Sequence, residues 1–106
     1  MLPIDLSLAR ARYHVLDVRE QGEWDAGHLD GAQHIPLGQL AARLAELPLD
    51  KIVVCICKVG GRSEAARAGL VRMGIEAENL EGGMVAWHRA GLELVSSVDG
   101  APGRVI

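Results

Sequence analysis

Ile52-Val53-Val54-Cys55-Ile56-Cys57-Lys58-Val59-Gly60-Gly61-Arg62-Ser63 is the stretch on which the reading of this chain turns. Lys51 to Cys57 is a nearly unbroken apolar, β-branched run, the pattern of a central parallel strand covered on both faces. Two glycines, Gly60 and Gly61, then predict a tight turn, and the small and polar residues after it predict a helix. A strand, a short loop and a helix start aim successive backbone N–H groups at one point. The helix dipole adds partial positive charge there. Cys57 begins that loop, so its thiol is expected to be partly ionised and nucleophilic.

Outward from this stretch, strands and helices alternate. Tyr13 to Val18 reads as a first buried strand, Glu20 to Ala26 as a short helical turn stopped by Gly27, and Ala32 to Ile35 as a second strand closed by Pro36. Leu37, Leu40, Ala41, Leu44 and Leu47 lie at helical spacing. A helix is expected from Ser63 to Met73 with Ala66, Leu70 and Met73 on one face and Gly74 as its stop. Glu76 to Leu80 reads as a strand and Gly82 to Ala90 as a last helix. The segment ahead of the first strand is short, so a helix there is expected to be reduced or absent. The expectation is a single α/β domain over 1–106, its core about 13–95 and its tail 96–106. The stretch from Glu93 on has no clear period, and its order is left open. In such sheets ligands bind beyond the carboxyl ends of the strands, where Cys57 falls.

Composition narrows the function. The chain has 106 residues, 49% hydrophobic and 24% charged, enough for one ordinary core. With no Phe and only Trp24, Trp87 and Tyr13, that core must be aliphatic. A net charge of −3 argues against a nucleic-acid partner. No apolar run approaches the ~20 residues of a membrane span. The opening Met1-Leu2-Pro3-Ile4-Asp5 lacks the regions of a signal peptide. The two cysteines, Cys55 and Cys57, are too close to staple a fold, so a reducing cytoplasmic location is expected.

Four segments resemble the rhodanese-like sulfurtransferases in order along the chain. They are Leu16-Asp17-Val18-Arg19-Glu20; Glu23 to Pro36, with Gly27-His28-Leu29-Asp30-Gly31-Ala32 at its centre; the Cys57-x-x-Gly60-x-Arg62 loop; and Leu80-Glu81-Gly82-Gly83-Met84-Val85-Ala86-Trp87. The resemblance implies a rhodanese-like α/β fold, with a parallel sheet of about five strands flanked by helices on both faces. It also implies transfer of a sulfane sulfur through a Cys57 persulfide. A small-molecule donor such as thiosulfate would supply the sulfur, a thiol, cyanide or a protein would accept it, and no cofactor or metal would be needed. Lys58, Val59, Gly60, Gly61, Arg62 and Ser63 would form the anion-binding loop, with Arg62 a counter-charge for the donor and Lys58 added charge at the rim. Ser63 is expected to cap the helix through its hydroxyl. Val59 stands where the family usually has a small polar residue, so the loop has one hydroxyl fewer.

Asp17, Arg19 and His28 are supporting candidates. The resemblance puts Asp17 and Arg19 near the loop as braces, and His28 reads as a packed histidine bonding a carbonyl. Glu20 and Glu23 read as helix-start charges. Cys55 shares a strand face with Cys57. It is read as core, since a Cys-x-Cys disulfide would strain an extended strand. Two alternative functions stay open. One is a persulfide carrier or interaction module with little turnover. The other is a cysteine phosphatase or arsenate reductase, which resembles this loop but places five residues between Cys and Arg where four stand here.

Overall fold

The computed structural model describes residues 1–98 and 101–106. Helix α1 (Pro3–Leu8) leads into strand β1 (Tyr13–Asp17) and helix α2 (Gln21–Ala26), followed by strands β2 (Gln33–His34) and β3 (Ile52–Ile56). Helix α3 (Gly61–Arg72), strand β4 (Ala77–Asn79) and helix α4 (Gly83–Arg89) complete the order. The strands form one parallel sheet in the order β2-β1-β3-β4. Among the described residues no helix is long and apolar enough to cross a membrane.

The sheet divides the core because strand side chains alternate. Leu16, Val53, Cys55 and Cys57 pack on one face with Ala66 and Leu70 of α3 and with Leu40 and Leu47. Val15, Val54 and Ile56 pack on the other with Leu6 of α1 and Met84 and Trp87 of α4. Both faces of β3 are therefore dry, as its apolar run requires.

The structure corrects three expectations. The sheet has four strands, not about five. The remaining extended stretch, at Val95, makes isolated antiparallel bridges to His28 and Pro102 and stays off the sheet; proline has no N–H with which to extend a ladder. Residues 37–47 form two 3-10 stretches, Leu37–Gln39 and Ala41–Glu46, the second kinked where Arg43 turns to φ −120°. A segment this short, with Gly38 inside it, gains little from regular helix propagation, and the tighter turns still bury Leu40 and Leu47. The segment ahead of β1 holds a short helix of six residues, in line with the expected reduction; Pro3 is preset for a first helical position and Leu6 is fully buried. Met73 is 65% exposed, while Ala66 and Leu70 of the same stripe are buried. It lies just past the end of α3, where the chain turns away at Gly74.

Candidate active site

Cys57 lies one residue beyond the carboxyl end of β3, as the floor of a cradle made by the loop and the first turn of α3. The residue is 1% exposed. Gly60 takes φ +115°, a conformation that L side chains rarely adopt, and this turns its N–H onto Cys57 Sγ at 3.1 Å. Ser63 Oγ lies 3.2 Å from the same sulfur. Burial pushes the Cys57 thiol up, but the Ser63 hydroxyl and the N–H groups of Ser63, Gly60 and Val59 outweigh it and bring the thiol below its ordinary value. These donors face a sulfur at the N-terminus of a 12-residue helix, where the dipole acts in the same direction. Cys55, on the same face, has no such donors, and burial pushes its thiol up to about 12.

Ser63 is not the helix cap. Gly60 holds that position, and Ser63 sits in the first turn with its hydroxyl turned inward. There it meets two acceptors, Cys57 Sγ and Asn79 Oδ1, the latter at 2.6 Å. Asn79 also donates from Nδ2 to Gly60 O at 3.1 Å. One hydroxyl proton can serve one acceptor at a time, so Asn79 both fixes the loop and competes for the Ser63 proton. Sequence reading missed Asn79, because it ends β4 and nothing in a single chain links it to residues 60 and 63.

The loop is held from behind by α4. Met84 N–H donates to Cys57 O at 2.9 Å, and Val85 N–H donates to Lys58 O at 3.1 Å. Gly83 takes φ +57°, and a Cβ there would run into the carbonyls of Cys57 and Lys58. The Gly82-Gly83 pair is thus more than a turn into a helix; it lets α4 lie against the loop backbone.

Arg62 does not stand free at the rim. Its Nη1 and Nη2 donate to Glu23 Oε1 and Oε2 at 2.7 and 2.9 Å, a two-pronged pair bridging α3 and α2. The hydrogen bond from Arg62 holds the Glu23 carboxyl at about 2 and raises the guanidinium further. Glu23 also closes a capping box with Glu20. Lys58 is exposed and Val59 is 64% exposed. Sequence reading treated Glu23 as a helix-start charge only; a pairing across 39 positions leaves no local signal.

Asp17 and Arg19 form a fully buried ion pair. Asp17 Oδ1 accepts from Arg19 N–H and Nε, and Oδ2 accepts from Nη2 at 2.8 Å. Nη2 also donates to Gly27 O at 2.7 Å. Val18, between them, donates to Ile56 O at 3.0 Å, which sets the pair beside the strand end that carries Cys57. His28 Nδ1 donates to Trp24 O at 2.8 Å, and its ring stacks on Trp24 at 3.6 Å between centroids. His34 also stacks on Trp24, at 4.8 Å, and donates from Nε2 to Arg19 O. Both histidines thus lock the segment that carries Glu23.

Comparison with known proteins fits this architecture. A family model described as the Rhodanese-like domain matches residues 5–90. The "Probable adenylyltransferase/sulfurtransferase MoeZ" of Mycobacterium tuberculosis is 45% identical over 78 residues, covering 71% of this chain but only 20% of that protein. A "Sulfurtransferase" of Allochromatium vinosum is 36% identical over 83 residues, 77% of this chain and 78% of that one. The crystal structure of a rhodanese-related protein from Thermoplasma volcanium superposes with a TM-score of 0.87 at 34% identity, over 90% of this chain and 95% of that one. The four-stranded parallel sheet, the glycine-bent loop after β3 and these matches together establish that the chain belongs to the rhodanese-like domain family.

Proposed function

We propose that the chain is a sulfurtransferase that carries sulfur as a Cys57 persulfide. The observation behind this reading is the convergence of the Gly60 N–H and the Ser63 hydroxyl on a sulfur at the start of α3, an arrangement that favours an anionic sulfur. The Cys57 thiolate attacks the outer sulfur of a sulfane donor such as thiosulfate. A new S–S bond forms at Sγ, the donor's S–S bond breaks, and its electron pair leaves with sulfite. The terminal persulfide anion inherits the same donors. Cyanide or a thiolate then attacks that outer sulfur, and the Sγ electron pair returns to Cys57. A thiolate so held needs no general base, and no cofactor enters the cycle.

The enclosure of Cys57 favours a slender donor whose terminal sulfur alone reaches the floor. A phosphoryl group would need a wider loop than the four residues between Cys57 and Arg62 provide, and an arginine free to hold its oxygens. Asp17, Arg19 and His28 act as positioning residues. They hold the end of β1 and the α2 segment against the loop and do not touch Sγ. A reducing, cytoplasmic compartment suits a mechanism that depends on a free thiol.

Steady-state transfer from thiosulfate to cyanide tests the reading. Double-reciprocal plots at varied cyanide should be parallel, the mark of a covalent intermediate. Cys57→Ser should lose the activity while keeping the wild-type circular dichroism spectrum and melting temperature. Turnover retained in that variant would overturn the proposal.

A further inference from the structure

Resting on the sulfurtransferase reading, we infer that Glu23 is a specificity-determining residue: by occupying Arg62 it disfavours dianionic sulfur donors and leaves the site suited to persulfides of low net charge. Arg62 is the guanidinium nearest the loop in sequence, and the natural counter-charge for a dianion. Yet both of its terminal nitrogens point at the Glu23 carboxylate, at 2.7 and 2.9 Å. The two residues cancel in charge, and two of the five guanidinium N–H groups are already used. The neighbouring charges do not restore a positive mouth. Arg67 is paired with Glu64, and Glu20 lies close enough to act on Arg62. Lys58 remains as an exposed cation with no ion-pair partner among the described residues.

The pair is built to persist. Glu23 is 18% exposed and Arg62 37%. The Glu23 side chain also accepts the Glu20 N–H at 3.1 Å, which fixes its rotamer at the start of α2. Trp24 is in turn stacked on His28 and His34, so the segment presenting Glu23 cannot swing away without breaking those stacks. A dianion therefore meets a neutral ion pair and one lysine. A persulfide with a compensating positive charge loses nothing by comparison.

The test compares two donors of different charge, thiosulfate and cysteamine persulfide, with cyanide as acceptor, in the wild type and in Glu23→Gln. Glutamine keeps an oxygen for the Glu20 N–H but removes the charge that holds Arg62. For a dianion, losing one nearby negative charge at this half-buried ion pair is expected to raise kcat/KM about tenfold. The value for cysteamine persulfide, with charges that cancel, should stay within about twofold. The thiosulfate gain should shrink as salt is added, since screening weakens it. If Glu23→Gln does not fold, Glu23→Asp, too short for the two-pronged pair, should change the donor ratio in the same direction. Equal changes for both donors, or no gain for thiosulfate, would overturn the inference while sulfur loading of wild-type Cys57 left the sulfurtransferase reading standing. Failure of both donors to load wild-type Cys57 would overturn the two together.

Discussion

Ser63 and Asp17 show how single side chains act on a sulfur or on the strand beside it. The Ser63 hydroxyl is one of the donors that lower the Cys57 thiol, and its loss in Ser63→Ala removes that contribution. Cys57 should then need a higher pH to reach half-maximal alkylation by iodoacetamide than in the wild type, where the midpoint falls below that of an ordinary cysteine. An unchanged midpoint would mean that the backbone donors alone set the thiolate. Asp17→Ala makes a different kind of change. It strands the fully buried Arg19 guanidinium, a defect worth about 3–5 kcal/mol, and urea unfolding should report that loss. The motif residues Cys57, Gly60, Arg62, Asp17 and Arg19 were legible in the sequence. Their partners Asn79 and Glu23 were not, because one sequence carries no signal for contacts between distant strands and helices.

At the level of elements, the site depends on how α4 backs the loop. The two amides that α4 gives to the carbonyls of Cys57 and Lys58 require Gly83 to have no side chain and a positive φ. Gly83→Ala should cost about 1–3 kcal/mol and lower sulfur transfer, as the loop is forced off its donors. Gly69, inside α3 with open space around it, should behave in the opposite way. Gly69→Ala should stabilise the protein by about 0.5–1 kcal/mol in the same unfolding assay, with transfer unchanged. The helical spacing of Leu37 to Leu47 marked Leu40 and Leu47, which are buried, and Leu37 and Leu44, which are half-buried, but it also included the exposed Ala41 and implied the wrong helix type. Side-chain period reports which face is apolar, whereas the choice between α and 3-10 turns depends on length and on the fit to the sheet beneath.

Across the whole molecule, the αβ alternation was legible because β3 is apolar on both faces and a glycine, Gly27, Gly74 or Gly91, follows α2, α3 and α4 within two residues. The C-terminal stretch was not legible. It docks through backbone hydrogen bonds, Val95 exchanging two with His28 and Arg104 N–H donating to Ala26 O at 2.9 Å, while Leu94 and Val105 pack on the core at no regular period. The Glu23–Arg62 pair links α2 to α3, and its contribution to stability depends on pH. The folded state holds Glu23 at about 2 against an ordinary value of 4.5. A depressed carboxyl stabilises the fold fully above the ordinary value and progressively less as pH falls from there towards 2. The wild type should therefore lose stability more steeply than Glu23→Gln over that acid window, as read by urea unfolding at stepped pH; parallel pH profiles would show that the pair contributes nothing to the fold. The central claim, that Cys57 carries the sulfur, is tested most directly by intact-mass spectrometry after incubation with thiosulfate and, separately, with cysteamine persulfide. The account predicts a gain of one sulfur atom in the wild type, reversed by cyanide, and none in Cys57→Ser. No gain in the wild type from either donor, or an equal gain in the variant, would contradict it.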